Sequence, residues 1–333
     1  MDLHPSNASS KLPGYIPVQS SNVIENKTCS HLMQENNYQY ILFPVIYMII
    51  FVAGTLGNTV IIVGLTCCVP VKSVANIYIV NLAMADLSFV ATLPFWAVDL
   101  SGKYKWIFGN FWCKFCATMS SVNMYASIFL LTCLSIDRYY SIVRPMKALK
   151  KRTLTKAKMI TAVVWILAFA MSTPTMYFRQ TIHSNFSNHV VCTMVYPPNS
   201  IFWPVFIGAM KYTVGFVIPS IVQGICYCLI YKIILALGKM KQKRAKTDKI
   251  LKVVVAMVLA FLICWLPFHI FDFLKLLARF KLTLSCKTKN HITVLIQFTV
   301  CIAFSNSCIN PFLYYFASKR FQTQLKRSIK RSL

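Results

Sequence analysis

A single carboxylate stands in the middle of a long apolar run. Asp86 is the only charged residue in Ser73–Val98, and an ionised carboxylate in apolar surroundings is costly unless polar groups stabilise it. Polar residues recur at i, i+4 spacing in two other apolar runs: Asn123 with Ser127, and Asn306 with Asn310. Together with Asn58 they predict an oxygen-lined pocket around Asp86, which suits a small hard cation such as sodium or an ion-free hydrogen-bond network.

A second pair of charged residues suits the binding of an anion. Lys211 lies about 12 Å along the helix from Pro219, at ~1.5 Å per residue, which is too deep in an apolar run for an ordinary loop lysine. With Arg179 it can clamp a carboxylate, because arginine offers a bidentate fork and lysine a point charge. The alternatives are that Lys211 extends to the membrane interface and that Arg179 is a solvated loop cation.

Seven apolar runs must position these residues. Each is long enough to cross a ~30 Å hydrocarbon layer as a helix. In chain order they are spans one to seven: Ile41–Val71, Ser73–Val98, Phe115–Ile136, Met159–Phe178, Tyr212–Tyr231, Val253–Phe271 and Asn290–Ser318. With 57% hydrophobic and 13% charged residues, the chain could not cover a soluble domain with polar groups. The sequence predicts an all-α membrane protein, a seven-transmembrane helix bundle with a short amphipathic cytosolic helix.

The distribution of lysine and arginine predicts the orientation. Basic residues are dense after span three, before span six and in the tail, and such loops remain in the cytosol. We therefore expect a multi-pass plasma-membrane protein with its amino terminus outside the cell. The predicted regions are an extracellular glycosylated segment, 1–38, the membrane domain, 39–317, and the cytosolic amphipathic helix with a short tail, 318–333. Glycosylation sequons begin at Asn7, Asn26 and Asn185.

The net charge of +27 is interpreted as attraction of the cytosolic loops to anionic membrane lipid, and no nucleic acid partner is expected. In the tail, Phe321, Leu325 and Ile329 recur at i, i+4 spacing among basic residues. This pattern is typical of a short amphipathic helix on the inner leaflet.

Prolines inside the spans predict bends about which helices can pivot. They are Pro94, Pro174, Pro219, Pro267 and Pro311. Bent helices around one buried carboxylate favour a bundle with two states. The alternative class, a channel or small transporter, would show rings of like side chains or two similar halves, and neither pattern is found.

Four cysteines fall on the predicted outer side: Cys29, Cys113, Cys192 and Cys286. They allow three pairings, between which the spacing does not choose. The other cysteines lie within spans or at the cytosolic face, where we expect reduced thiols that pack as small hydrophobic residues.

Short motifs occur in the spans in a fixed order. They are Asn58 in Gly-Asn-Thr-Val, Asp86 in Asn-Leu-Ala-Met-Ala-Asp, Asp137-Arg138-Tyr139, Trp165, Cys264-Trp265-Leu266-Pro267 and Asn310-Pro311-Phe-Leu-Tyr314. These motifs resemble the landmarks of rhodopsin-like G-protein-coupled receptors, and the match covers every span. Receptors for biogenic amines carry an aspartate in span three that pairs with the amine, and Ser120 stands at the corresponding position here. Opsins carry a lysine in span seven that binds retinal, and span seven has no lysine here. The chain therefore fits neither of these small-molecule classes.

Longer strings narrow the resemblance. They are Thr92-Leu-Pro-Phe-Trp96-Ala, Asn123-Met-Tyr-Ala-Ser, Phe261-Leu-Ile-Cys-Trp-Leu-Pro-Phe-His269 and Met210-Lys211-Tyr-Thr-Val-Gly-Phe-Val-Ile-Pro219. The chain is similar to the angiotensin II receptors in these strings, and the last of them is nearer the type-2 receptor.

The resemblance implies a receptor, not an enzyme, for an extracellular angiotensin-like peptide. The free C-terminal carboxylate of the peptide would bind Lys211 and Arg179, and its last side chain would enter an apolar cup made by Trp96, Tyr104, Met124, Trp265, His269 and Phe304. The family carries acidic residues near the outer ends of spans six and seven, and Lys275 and Thr293 stand at the matching positions here. The acidic residues that remain at the mouth of the bundle are Asp272 and Asp99. A more acidic peptide than angiotensin II fits such an entrance. The resemblance pairs Cys113 with Cys192 and Cys29 with Cys286.

The resemblance also implies coupling to a heterotrimeric G protein without a cofactor, apart from a structural sodium ion in the Asp86 pocket. Outward motion of span six would open a groove for a helix of the G protein, while Arg138 exchanges partners. The implied switch residues are Asp137, Arg138, Tyr139, Pro219, Ile128, Phe261, Trp265, Tyr227, Pro311 and Tyr314. The alternatives within the class are a bradykinin-like or orphan peptide receptor and a decoy that binds without signalling.

Overall fold

The structure is a computed structural model that describes residues 38–68, 73–146, 152–184, 188–198, 200–236, 241–278, 286–317, 321–325 and 327. Within these ranges, seven helices are long and apolar enough to cross a membrane, which confirms the predicted number of spans. The predicted sites at Asn7, Asn26, Cys29 and Asn185 lie outside the described residues, as does the side chain of Cys286. The limits of the three predicted regions stay predictions.

The helices of the seven spans begin and end close to the apolar runs. Span one is Gln39–Val63 continued by a π-helical turn, Gly64–Cys68; span two is Val74–Val90 and Leu93–Ser101; span three is Gly109–Val143; span four is Leu154–Phe178; span five is Phe202–Tyr212, a π-helical turn Thr213–Val217, and Ile218–Ala236; span six is Lys241–Ala278; and span seven is Cys286–Ala317. Hydroxyl caps begin two of them: Ser73 accepts from the Asn76 amide and Thr153 from the Lys156 amide.

Two of the predicted proline bends coincide with breaks in helix geometry. Pro94 stands in the first turn of Leu93–Ser101, just after span two is interrupted, and the Thr92 hydroxyl donates to the Phe89 carbonyl at 2.7 Å there. Pro219 directly follows the π-helical turn of span five, where the regular hydrogen-bond ladder is already altered. Pro174, Pro267 and Pro311 lie inside continuous helices.

A β-hairpin closes one end of the bundle. Strands β1, Arg179–Ser184, and β2, His189–Met194, pair antiparallel directly after span four. The Cys113–Cys192 disulfide joins β2 to span three, so this predicted pairing is confirmed. The Lys114 ammonium donates to the Met176 and Tyr177 carbonyls, each at 3.0 Å, which satisfies the last turn of span four. We call this end of the bundle the hairpin end.

Polar contacts tie the spans together where apolar packing gives no directional preference. The Trp165 indole donates to Asn81 at 3.0 Å between spans four and two, and the Gln223 amide donates to Thr132 at 2.9 Å between spans five and three. Lipid chains are as apolar as the helix surfaces, so there is no hydrophobic driving force that brings two helices together in a membrane. Hydrogen bonds of this kind therefore contribute to helix association together with close side-chain packing. They fix the rotation of each helix in the bundle.

The short helix that follows span seven packs on the bundle. Residues 321–325 are helical, and Phe321 is only 2% exposed because it lies against the ring of Tyr314 and beside Gly64. Leu325 also packs against the core. The two residues expected to face lipid thus face the bundle, whereas Ile329 lies outside the described residues.

Gly64 permits this packing, and its replacement tests it. A β-carbon on Gly64 would lie 2.5 Å from the nearest carbon of the Phe321 ring, so Gly64→Ala must displace the ring at an overpacking cost of ~1–3 kcal/mol. We expect the apparent melting temperature of the purified protein to fall by a few degrees. Gly224→Ala is the matched control, because nothing lies within 4 Å of its added carbon. Equal melting temperatures for the two variants would contradict the packing.

Candidate functional site

A cavity of about 670 Å³ opens among the spans at the hairpin end. Eight of the nine residues predicted to bind a ligand line it: Trp96, Tyr104, Met124, Arg179, Lys211, Trp265, Asp272 and Phe304. The ninth, His269, is buried behind the wall, against the rings of Phe216 and Trp265. The fold therefore brings the predicted cations and the predicted apolar cup to one site.

A larger groove of about 980 Å³ runs between spans one and seven. It is lined by residues such as Met48, Val52 and Phe312, which are 41% to 52% exposed on the outer face of the bundle. Lipid chains suit this groove, which offers almost no polar group to orient a ligand. The cavity at the hairpin end is therefore the candidate site.

Lys211 reaches the cavity from span five and makes an ion pair there. Its ammonium donates to Asp272 Oδ2 on span six at 2.5 Å, and the Tyr212 hydroxyl donates to the same oxygen at 3.0 Å. The π-helical turn Thr213–Val217 begins directly after these residues, and such turns re-aim side chains at functional sites. Lys211 thus faces the cavity, not the membrane interface. The role of Tyr212 was not predicted from the sequence, because a tyrosine near a membrane interface is common.

Arg179 lies at the start of β1, where span four ends. Its guanidinium stands over the Trp96 ring, 5.3 Å from the centroid, and its Nε donates to Cys192 Sγ at 3.3 Å. Burial lowers the pKa of Arg179, and the nearby Asp99 carboxylate opposes that effect. Arg179 is therefore a part-buried cation at the cavity wall, not a solvated loop cation.

Tyr104 stands at the mouth of the cavity. Lys103 and Tyr104 have positive φ angles of 56° and 64°, a left-handed conformation that is uncommon for residues other than glycine. The Gln297 amide donates to the Tyr104 hydroxyl at 2.9 Å. Desolvation raises the pKa of Tyr104 to about 12, so the hydroxyl is neutral at physiological pH and able to donate to a ligand.

The floor of the cavity continues into the predicted packing switch. Trp265 is 6% exposed and stacks on Phe261 at 5.9 Å between ring centroids. Phe261 and Ile128 are fully buried in the same hydrophobic cluster, and Pro219 is also buried. A ligand that moves Trp265 must therefore move the packing between spans three, five and six.

Asp86 is completely buried and accepts three hydrogen bonds. The Asn123 amide and the Ser307 hydroxyl donate to Oδ1 at 2.9 and 2.8 Å, and the Asn310 amide donates to Oδ2 at 2.9 Å. Ser127 lies beside this group, 3.4 Å from the Asn123 amide. The structure thus joins Asn123, Ser127 and Asn310 to Asp86, as expected, and adds Ser307 to them.

Asn306 makes no such contact. Both atoms of its amide are buried without a hydrogen-bond partner among the described residues, as are the side-chain oxygens of Asn58 and Asn310. The Asn58 amide nitrogen instead donates to the Ser307 carbonyl at 2.8 Å. Buried amide oxygens beside a carboxylate are ligands of the type that a sodium ion takes, so the residues present fit such an ion.

Asp137 is shared between two arginines at the other end of the bundle. The guanidinium of Arg138, its neighbour in span three, lies 3.2 Å from Asp137 Oδ2. Arg152, just before span four, donates to Oδ1 at 2.5 Å and to Oδ2 at 2.8 Å. This bidentate contact was not predicted from the sequence, because Arg152 is one of many basic residues in the same loop.

Arg138 also lies near the predicted tyrosines. Tyr227 and Tyr314 are close enough to interact electrostatically with its guanidinium, and the Tyr227 hydroxyl is 2.9 Å from the Ser135 hydroxyl. Tyr139 packs edge to face on Tyr140. Pro311 is buried in span seven, where a β-carbon on Gly57 would lie 3.0 Å from it. Tyr227 of span five and Tyr314 of span seven therefore lie near Arg138 of span three.

The amino-acid sequence is similar to those of known proteins. The family described as 7 transmembrane receptor (rhodopsin family) matches residues 57–314. The chain is 40% identical to the type-1 angiotensin II receptor A of Xenopus laevis over 89% of this chain and 81% of that protein. It is 40% identical to the type-2 angiotensin II receptor of Ovis aries over 94% and 86%, and 37% identical to the type-1 receptor of Bos taurus over 89% and 82%.

The chain therefore belongs to the rhodopsin family of seven-transmembrane receptors. Within that family it groups with the angiotensin II receptors, and type-1 and type-2 relatives reach the same 40% identity, so nearness to type 2 stays a prediction. It is a multi-pass plasma-membrane receptor and not an enzyme. The receptor class, rather than a channel or transporter, is confirmed.

Removal of Arg152 should strengthen the hold of Asp137 on Arg138. Arg152→Gln takes away the bidentate competitor, and a part-exposed pair is worth ~0.2–1 kcal/mol, so we expect agonist-free activation of a G protein to fall about two- to threefold. Nucleotide exchange on purified G protein, with receptor in lipid nanodiscs, measures this. Lys156→Gln, an exposed cation one turn further along span four, is the matched control. An unchanged or raised basal rate would refute the competition.

Proposed function

We propose that this chain is a cell-surface receptor for an angiotensin-like peptide hormone that ends in a free carboxylate, and that it couples binding to heterotrimeric G-protein activation. The observation that carries the proposal is that Lys211 and Arg179 line one cavity above an apolar floor. Relatives that are 37–40% identical to the chain bear the name angiotensin II receptor. The receptor class and the cavity chemistry therefore support the same type of ligand.

The cavity has two kinds of surface that suit the end of a peptide. Arg179 and Lys211 offer donors to a terminal carboxylate from the hairpin and from span five. Trp96, Met124, Trp265 and Phe304 offer apolar area to the last side chain. A peptide that enters with its carboxyl end first meets both surfaces.

The orientation of the receptor in the membrane follows from its basic loops and its disulfide. We propose that the amino terminus and the hairpin end are extracellular, because the basic loops belong in the cytosol and the Cys113–Cys192 disulfide requires an oxidising side. Glycosylation at Asn7, Asn26 and Asn185 and a Cys29–Cys286 disulfide belong to this proposal. The basic cytosolic loops then lie against anionic lipid.

Signal transmission requires a path from the cavity to Arg138. Trp265 forms part of the floor and stacks on Phe261, which packs with Ile128 of span three. A peptide that favours a different position of Trp265 shifts the population of bundle states by its differential affinity for them. We propose that the shift releases Arg138 from Asp137 and admits the G protein between the spans.

The peptide proposal is tested at the two cations. We expect Lys211→Gln and Arg179→Gln each to lower the affinity for angiotensin II roughly 10- to 100-fold, because a desolvated carboxylate loses a charged partner. Competition binding with angiotensin II and its C-terminal amide measures the effect. The wild type should prefer the free acid, and each variant should lose that preference.

The control for this test is Lys105→Gln. Lys105 is an exposed lysine in the loop at the hairpin end, so the variant removes one charge near the mouth without touching the cavity. Equal binding of the acid and the amide by the wild type would refute the carboxylate site. If Lys105→Gln lowers the affinity for angiotensin II as much as Lys211→Gln does, the loss of affinity reflects general electrostatic attraction and not a specific carboxylate site.

A sodium ion at Asp86 is part of the proposed function. Asp86, Asn123, Ser127, Asn306 and Asn310 would hold it, and the ion would add charge stabilisation between spans two, three and seven. Because binding to the folded state alone raises stability, the apparent melting temperature of the purified receptor should rise with sodium chloride more than with choline chloride at equal ionic strength.

Two aspartate variants separate the ion from general salt effects. Asp86→Asn should abolish the difference between sodium and choline, whereas Asp248→Asn, which removes the same charge from span six, should retain it. If the wild type melts at the same temperature in both salts, the polar cluster is a hydrogen-bond network without an ion.

A further inference from the structure

The deep lysine of the cavity already has a carboxylate partner. Asp272 Oδ2 accepts from the Lys211 ammonium and from the Tyr212 hydroxyl, at 2.5 and 3.0 Å. The side chains of Lys211 and Asp272 are 23% and 24% exposed, so water screens the pair only in part. Any incoming anion therefore meets a neutralised lysine and not an open positive charge.

The pair also ties two spans together. Lys211 belongs to span five and Asp272 to span six, and the Lys211 ammonium stands over the Phe268 ring, 5.3 Å from its centroid. This cation–π contact adds to the ion pair and comes from the same span six helix. Lys211 is thus held to span six by two independent attractions near the hairpin end.

A ligand carboxylate competes with Asp272 for this lysine. Two carboxylates on one ammonium in a partly desolvated cavity repel each other at short range, so binding of the second favours departure of the first. Asp272 has another cation to turn to, because Lys275 is three residues further along the same helix and close enough to attract it. Asp272 therefore stays near a cation after it leaves Lys211.

We propose that Asp272 is the resident carboxylate of the anion site, and that the carboxylate of the peptide binds by taking its place on Lys211, which breaks the Lys211–Asp272 ion pair between spans five and six. The inference rests on the proposed function, since it requires Lys211 to bind the peptide carboxylate. Asp272 then lowers the affinity for every anionic ligand that binds Lys211. Only ligands that compete well with Asp272 for Lys211 break the ion pair.

The opposite role for Asp272 is direct attraction of a basic residue of the peptide. The two roles predict effects of opposite sign when the charge is removed. A resident carboxylate opposes the free-acid peptide, so its loss raises affinity. An acid that binds a basic residue supports the peptide, so its loss lowers affinity for the acid and the amide alike.

The experiment measures competition binding of angiotensin II and its C-terminal amide to full-length receptor in lipid nanodiscs. We expect Asp272→Asn to raise the affinity for the free acid about tenfold, the size of a part-buried charge interaction, and to change the affinity for the amide much less. Asp272→Ser is measured in parallel, so that the result does not depend on the folding of one variant. Asp248→Asn removes the same charge from span six, 24 residues away along the chain, and should change neither affinity.

A Lys211→Gln background tests whether the gain acts through the lysine. In that background, the addition of Asp272→Asn should no longer raise the affinity for the free acid, because there is no ammonium to release. A gain that persists without Lys211 would overturn the exchange and leave only general electrostatics.

The outcomes separate this inference from the function on which it rests. If the wild type prefers the free acid but folded Asp272 variants bind it equally or more weakly, the resident carboxylate is refuted while the peptide carboxylate site stands. If the wild type and all variants bind the acid and the amide equally, the site itself fails. A gain confined to the free acid and to receptors that retain Lys211 supports the exchange.

Discussion

An ionised group inside a membrane bundle must take its stabilisation from the protein, because hydrocarbon offers no hydrogen bonds. Three carboxylates of this receptor, Asp86, Asp137 and Asp272, satisfy that requirement across segments and not within their own helix alone. Asp86 on span two accepts from spans three and seven, Asp137 on span three binds Arg152 before span four, and Asp272 on span six binds span five. Each acid is therefore a tie between segments, and the arrangement of the spans depends on these ties.

Periodicity predicted which residues share a helix face but not how far each helix is rotated. The i, i+4 pair of Asn123 and Ser127 does meet Asp86, since a pair on one face moves together. In span seven Asn310 and Ser307 donate to Asp86, whereas Asn306 makes no such contact among the described residues. Adjacent residues differ by about 100° around a helix, so a modest rotation, set by packing against other spans, decides between them.

The partners that the sequence did not predict share a physical origin. Tyr212 joins Lys211 on Asp272 beside a π-helical turn that ordinary helical spacing does not anticipate, and Arg152 reaches Asp137 from the segment just before span four, 15 residues further along the chain. Both contacts depend on local backbone geometry and on the docking of two elements. Composition and spacing carry little of that information, whereas the depth of Lys211 follows from its position along a helix alone, and the apolar cup follows from the resemblance to a known family.

Each of these carboxylates has more than one hydrogen-bond or ion-pair donor, so it can exchange one partner for another. Asp137 has two arginines, Asp272 has a lysine and a tyrosine, and Asp86 has three donors. When one partner leaves such a carboxylate, the others still satisfy it, so exchange avoids the cost of an isolated buried charge. A bundle held by single, exclusive ion pairs would be rigid, since loss of either partner would strand the other. Shared pairs instead allow two arrangements of similar free energy, and a ligand then needs only a modest differential affinity to choose between them.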